Sequence, residues 1–362
     1  MPIRRTLAQA HRGVRVARML AKALVSTRHP NLVHLVVTRR CNLACAYCNE
    51  YDHVSGPVPL DILFQRIERL ASLGTSIITI TGGEPLMHPE LEQIVAQIRR
   101  QGITATVITN GYLLTEQRIK KLNSARLDYL QISIDNVMPD EVSMKSLKVL
   151  DRKLLLLSKY AEFGVNINAV IGTGVKDPED ALVVARRARA LGFSTSVGIV
   201  HDGRGRIKPL GEGERRVYQE IKKSGGIGFA LVDRFQENLS LGQPNHWKCR
   251  AGARYFYVDE DGLVHWCSQQ RGYPAVPLER YSQAEMRHEY LVEKACAPYC
   301  TIQCVHRASM MDSWRHPQTP AKVSRVRSET PMAGGGEGRR EAMEMPKEGR
   351  GAGRREAEVG PS

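Results

Sequence analysis

Acidic residues are missing from the first thirty positions, which hold Arg4, Arg5, Arg12, Arg15, Arg18, Lys22 and Arg28. Missing too is an apolar run that could cross a bilayer. Arginines interrupt this segment before the roughly 20 apolar residues of a span accumulate, so neither a signal peptide nor a transmembrane helix is read there. No cysteine is scattered: all eight fall in two groups, Cys41 to Cys48 and Cys249 to Cys304, at metal-like spacing. Disulfide partners in a secreted chain would be spread more widely, so the pattern points to a reducing cytoplasm. No aromatic residue interleaves with the N-terminal bases, which argues against a nucleic-acid surface despite the formal charge of +14. From His316 onward large apolar residues nearly vanish, and the tail 316–362 is expected to be disordered.

What is present centres on Thr38 to Pro85. The segment opens with Cys41, Cys45 and Cys48 in the spacing CxxxCxxC. Three thiolates so placed fill three corners of an iron–sulfur cube and leave one iron open, because a closed cube takes four protein ligands. An open iron can chelate a small molecule that brings its own nitrogen and oxygen. A structural zinc site would want a fourth N or S ligand, and no Cys or His stands at a normal offset, His53 being the nearest. The segment closes with TGGEP, where Gly82 and Gly83 let backbone approach a ligand closely and Glu84 offers a carboxylate.

With the aromatic Tyr47 just before the third cysteine and Gly82, Gly83, Glu84 and Pro85 ending the next apolar run, the chain resembles the radical SAM superfamily. The resemblance implies a [4Fe-4S] cluster on Cys41, Cys45 and Cys48 with S-adenosyl-L-methionine (SAM) on its open iron. It implies a one-electron reductant such as flavodoxin or ferredoxin, cleavage of SAM to a 5'-deoxyadenosyl radical, and hydrogen abstraction from a substrate. That substrate is read as a ribosomal peptide or a small metabolite. A lipid or isoprenoid at a membrane surface, and a non-catalytic metal-cluster protein, are the alternatives.

The rest of the chain alternates strand and helix. Leu32 to Val37, Ser76 to Thr81, Thr104 to Thr109, Tyr129 to Ile134, Asn166 to Ile171 and Ser194 to Val200 read as strands, with helices over 59–73, 91–100, 147–157 and 181–191 between them. This period means βαβ units and an α/β fold, a partial (β/α)6 TIM-like barrel over 31–225. In such barrels chemistry gathers at the C-terminal strand ends. There stand the cysteine loop, GGEP, Asn110, Ser133 and Asp135, the last three candidates for polar contacts to SAM or, alternatively, ordinary turn residues. Residues 1–30 read as a basic amphipathic helix, with Arg12, Arg15, Arg18 and Lys22 on one stripe and Ala17, Leu20, Ala21 and Leu24 on another. Three readings stand open: a helix under the barrel with a solvated basic face, a peripheral membrane anchor, and a patch for an acidic partner.

After 225 cysteines return as Cys249, Cys267, Cys296, Cys300 and Cys304. FYV and LVHW around Asp259 to Gly262 read as a hairpin. This resembles the opening of the SPASM and twitch extensions of radical SAM enzymes, and 226–315 is expected to form such a domain. The full SPASM pattern needs more cysteines than these five. One auxiliary [4Fe-4S] cluster is therefore expected, with one cysteine spare and its identity open. A four-thiolate zinc site is the competing reading here.

Overall fold

The computed structural model describes residues 2–172, 174–200, 208–224 and 235–315; the expected tail lies outside them. Six parallel strands run in sequence order from the middle of one sheet to its edge: β1 (Leu32–Thr38), β2 (Ile77–Gly82), β3 (Thr104–Thr109), β4 (Tyr129–Ile134), β5 (Gly164–Gly172) and β6 (Ser194–Val200). Between them lie α2 (Leu60–Ser72), α3 (Leu91–Arg100), α4 (Glu116–Ser124), α5 (Leu147–Tyr160) and α6 (Glu179–Ala190), and α7 (Glu212–Ser224) follows β6. The sheet is open, as expected for a partial barrel. Its outward row, with Ile78, Ile80, Val107, Ile132 and Ile167, is buried in one cluster with Leu63, Ile67, Ile94, Leu150 and Leu154 of the helices. Leu147, Leu150, Leu154 and Leu157 of α5 are all buried, since a 3.6-residue period puts them on one face.

The inward row is of another kind. Because side chains alternate across a strand, the residues between those core positions include Thr79, Thr106, Gln131, Ser133, Asn166, Asn168 and Ser196. They hydrogen-bond across strands: Thr79 to Thr106 at 2.6 Å, Asn166 to Gln131 at 3.3 Å and to Ser196 at 2.8 Å, and Ser196 to Asn168 at 2.9 Å. The concave wall is therefore a ladder of neutral amides and hydroxyls.

The sheet does not stop at residue 225. The expected hairpin forms as β7 (Tyr255–Val258) and β8 (Leu263–His265), but β7 also pairs in parallel with β1, Leu32 opposite Tyr255 and Leu35 opposite Val258. β9 (Pro274–Pro277) completes the order β6-β5-β4-β3-β2-β1-β7-β8-β9. Tyr255 and Tyr257 join Val36, Cys249, Cys267 and Ala297 in a second, smaller core. Short helices α8 (Phe235–Ser240), α9 (Gln283–Leu291) and α10 (Gln303–Met310) surround it, α9 opened by a Ser282–Glu285 capping box.

The N-terminal helix α1 (Pro2–Val25) corrects one expectation. Its basic stripe is only partly solvated: Arg12 and Arg15 are half-buried against the body, while Arg18 and Lys22 are exposed. Arg12 donates to the Glu162 carbonyl at 2.8 Å and lies over the Tyr129 ring, and Arg15 pairs with the buried Asp128. Lys22 donates to the Gly74 carbonyl at 2.5 Å. Asp128 and Glu162 immediately precede β4 and β5, so α1 lies along the N-terminal ends of the strands. Arg254, fully buried, fixes its end: the guanidinium pairs with Asp312 at 2.9 Å and donates to the carbonyls of His29 and Ala23. No helix among the described residues is long and apolar enough to cross a membrane.

Candidate functional site

Chain leaving β1 folds back on itself to form the cysteine loop. Its base is closed by Cys41 N–H to the Asp52 carbonyl at 3.0 Å and Asp52 N–H to the Arg39 carbonyl at 2.9 Å. Inside, Leu43 N–H points at Cys41 Sγ at 3.4 Å, and Cys48 N–H donates to the Cys45 carbonyl at 3.0 Å. The loop docks on the segment after β4: Ala46 N–H donates to the Val142 carbonyl at 3.0 Å, and Cys45 Sγ lies 3.7 Å from Ser143 Oγ. Burial raises the pKa of Cys41, and pushes Cys48 up to about 11. Thiols so placed resist ionising alone, and a cationic iron centre is the kind of partner that makes thiolates stable there.

GGEP is a clamp on this loop. A Cβ at Gly82, whose φ is +137°, would lie 2.1 Å from the Thr38 carbonyl oxygen, and one at Gly83 only 2.2 Å from that of Arg39. The glycines are thus required by backbone packing: Gly83 N–H donates to the Thr38 carbonyl at 2.8 Å and Glu84 N–H to that of Arg40 at 2.9 Å. Pro85 opens a buried 3-10 turn, Pro85–Met87. Glu84, expected to offer its carboxylate to a ligand, already has donors of its own within the fold. It is fully buried and turned inward, accepting from Leu86 N–H at 2.9 Å, Thr109 Oγ1 at 2.6 Å and Asn110 N–H at 2.7 Å. Burial raises its pKa, and these donors oppose the rise. Asn110 in turn donates to Asn42 Oδ1 at 2.8 Å, with its Nδ2 3.9 Å from Cys41 Sγ. It supports the cysteine loop.

At the end of β4, Tyr47 donates to Asp135 Oδ2 at 2.5 Å. Lys145, which nothing in the sequence pattern singled out, pairs with the same carboxylate at 3.2 Å and donates to the Tyr47 hydroxyl. Burial alone would lower the lysine's pKa, but Asp135 and Tyr47 hold it above the ordinary range. Asp135 Oδ1 is buried with no hydrogen-bond partner among the described residues, a free acceptor beside the cysteine loop. Ser133 lies on the inward row, opposite Asn168.

The second cysteine group gathers on the small core. Cys249 precedes β7 and Cys267 follows β8, while Cys296 and Cys300 flank the 3-10 turn Ala297–Tyr299 that Pro298 makes in place of helix. Burial raises all four thiols, Cys249 to about 11 and Cys267 to about 12, and every pair among the four adds mutual repulsion. Lys294, its side chain buried, brings positive charge toward Cys249 and Cys296. Cys304 stands in the first turn of α10, and its field reaches the Tyr255 hydroxyl. Among the described residues no three His, Cys, Asp or Glu side chains converge as a single metal ion requires. A cubane takes its thiolates at separate corners, and both cysteine groups fit that donor set.

The sequence model described as Radical SAM superfamily matches residues 35–204. The Fe-coproporphyrin III synthase of Methanosarcina barkeri is 31% identical over 36% of this chain and 34% of its own. The GTP 3',8-cyclase of Aquifex aeolicus is 28% identical over 49% of this chain and 60% of its own. The chain thus spans about a third to three fifths of these curated relatives. Among solved structures, Streptococcus suis SuiB bound to precursor peptide SuiA superposes with a TM-score of 0.54 at 16% identity, over 70% of this chain and 65% of that one. This last likeness speaks to the fold.

Proposed function

This chain belongs to the radical SAM superfamily, and on that premise we propose that it is an enzyme that reductively cleaves SAM and abstracts a hydrogen atom from a polar substrate held against the half-barrel wall. When bound, a [4Fe-4S] cluster with SAM supplies a one-electron cleavage to methionine and a 5'-deoxyadenosyl radical. The protein supplies position and exclusion of water. Cys41, Cys45 and Cys48 would hold the cluster. The backbone of Gly82 to Pro85, with Tyr47, Ser133 and Asp135, would line the SAM site, while Glu84 and Asn110 keep the loop in place. The observation that carries this reading is the clamp of GGEP backbone on the residues leading into the cysteine loop.

Four of Cys249, Cys267, Cys296, Cys300 and Cys304 would ligate one auxiliary [4Fe-4S] cluster, with one cysteine left over. Electrons would come from a one-electron donor of the flavodoxin or ferredoxin class, in a cytoplasm that keeps the thiols reduced. The ladder of Gln131, Asn166, Asn168 and Ser196 favours a hydrogen-bonding substrate, a peptide or polar metabolite, over an isoprenoid, since these amides pair with one another through only part of their donors and acceptors and an apolar chain would bury the remainder unmatched.

Anaerobic reconstitution followed by dithionite and SAM tests the reading. A brown protein that releases 5'-deoxyadenosine is expected, and Cys45→Ala should abolish release. A colourless zinc protein, or a brown one that leaves SAM intact, would sink it.

A further inference from the structure

Because Arg12 and Arg15 turn one side of α1 to the barrel, its other face is turned to solvent, and that face is apolar. Ala23 is buried and Arg12, Arg15 and Met19 are half-buried, marking the inward side. On the opposite arc Val14 is 69% exposed, Leu20 44%, Leu24 54% and Val25 83%. Ala10, Ala17 and Ala21 are exposed between them, and Arg18 is exposed at the margin of the stripe. A soluble surface helix normally shows the reverse arrangement, polar side outward. No acidic residue lies anywhere on α1.

We propose that this face of α1 rests on an anionic lipid bilayer. An apolar stripe with exposed Arg18 at its margin, on a helix without acids, suits the boundary between headgroups and acyl chains, where the stripe is buried and the Arg18 guanidinium meets lipid phosphate. A second copy of the chain fits the same face poorly. Two such helices would bring like charges together with no carboxylate on either to pair them. The inference stands on the packing of α1 and not on the catalytic reading. Its geometric consequence is that the strands' N-terminal ends face the membrane and the cysteine loop, at their C-terminal ends, opens away from it.

Sedimentation of the full reconstituted chain with phosphatidylcholine vesicles, with and without phosphatidylglycerol, tests the proposal. Binding should be about tenfold stronger on the anionic vesicles and should weaken as salt rises. Leu20→Ser with Leu24→Ser, both outward, should cut that binding about fivefold or more while leaving the thermal midpoint near that of the parent. Equal affinity for the two vesicle types, or no binding to either, overturns the proposal. A concentration-dependent dimer that the same pair of substitutions abolishes, without vesicle binding, also overturns it and assigns the face to a second copy.

Discussion

The Lys145 ammonium lies 3.2 Å from the Asp135 carboxylate and donates to the Tyr47 hydroxyl, so one buried cation joins the end of β4 to the residue before Cys48. Their side chains are 13% and 4% exposed, and removing one member of such a pair strands the other. Lys145→Met is expected to cost about 3 kcal/mol of stability and to loosen the cysteine loop. Lys145→Met combined with Asp135→Asn should recover much of that loss. Anaerobic denaturant titration of the four proteins in this cycle checks it. A single substitution as mild as the double one would show that the pair carries no coupling.

The two glycines of GGEP make a sharper test of what that motif is for. Gly83→Ala would force a Cβ toward backbone oxygens of Arg39 and Arg40 that cannot move without moving the cysteine loop. Iron content after reconstitution should fall several-fold, with about 3 kcal/mol lost from overpacking. Gly56→Ala is the control: nothing lies within 4 Å of the added carbon, and iron content and stability should stay near the parent values. Equal iron loading in both variants would remove GGEP from the role of clamp.

Much of this is legible in the amino-acid sequence. The two cysteine groups, GGEP and the strand–helix alternation all follow local rules, and the bounds of α3, β3, β4 and β6 coincide with the expected ones. What escaped depends on contacts between distant residues. The parallel pairing of β7 with β1 joins segments far apart in sequence, and a hairpin pattern says nothing about its outer neighbour. A helical wheel divides α1 into two stripes but does not say which one meets the barrel; Asp128 and the Glu162 carbonyl decide that. Lys145 carries no signal at all, because its importance comes from where the β4–α5 connection lays it. The charge of Glu84 is visible in the sequence, whereas its internal hydrogen bonds to Leu86, Thr109 and Asn110 are set by the fold.

Which cysteine of the second group is dispensable can be read from iron counts. Ionising any one of Cys249, Cys267, Cys296 and Cys300 disfavours ionising the others. Among the five single alanine variants at Cys249, Cys267, Cys296, Cys300 and Cys304, four should lower the reconstituted protein from about eight iron atoms per chain to about four, and one should keep about eight. Retention of iron in all five variants would remove the auxiliary cluster from this group.

His34 sets an acid limit on the fold. It lies on the inward row of β1 with its ring 5.2 Å from that of Tyr255, and its Nε2 is buried with no hydrogen-bond partner among the described residues. Burial lowers its pKa from 6.5 to about 4, so the folded protein holds it neutral. The unfolded chain takes up a proton near pH 6.5 that the folded one refuses until about pH 4. Between these values the unfolded state binds more protons, and stability must fall as pH falls. The contribution is complete above pH 6.5 and is lost down to about pH 4, on the order of 3 kcal/mol in all. His34→Leu should flatten that part of the stability curve, measured by denaturant titration at successive pH values. A variant that loses stability over this window as steeply as the parent would assign the acid sensitivity to other groups.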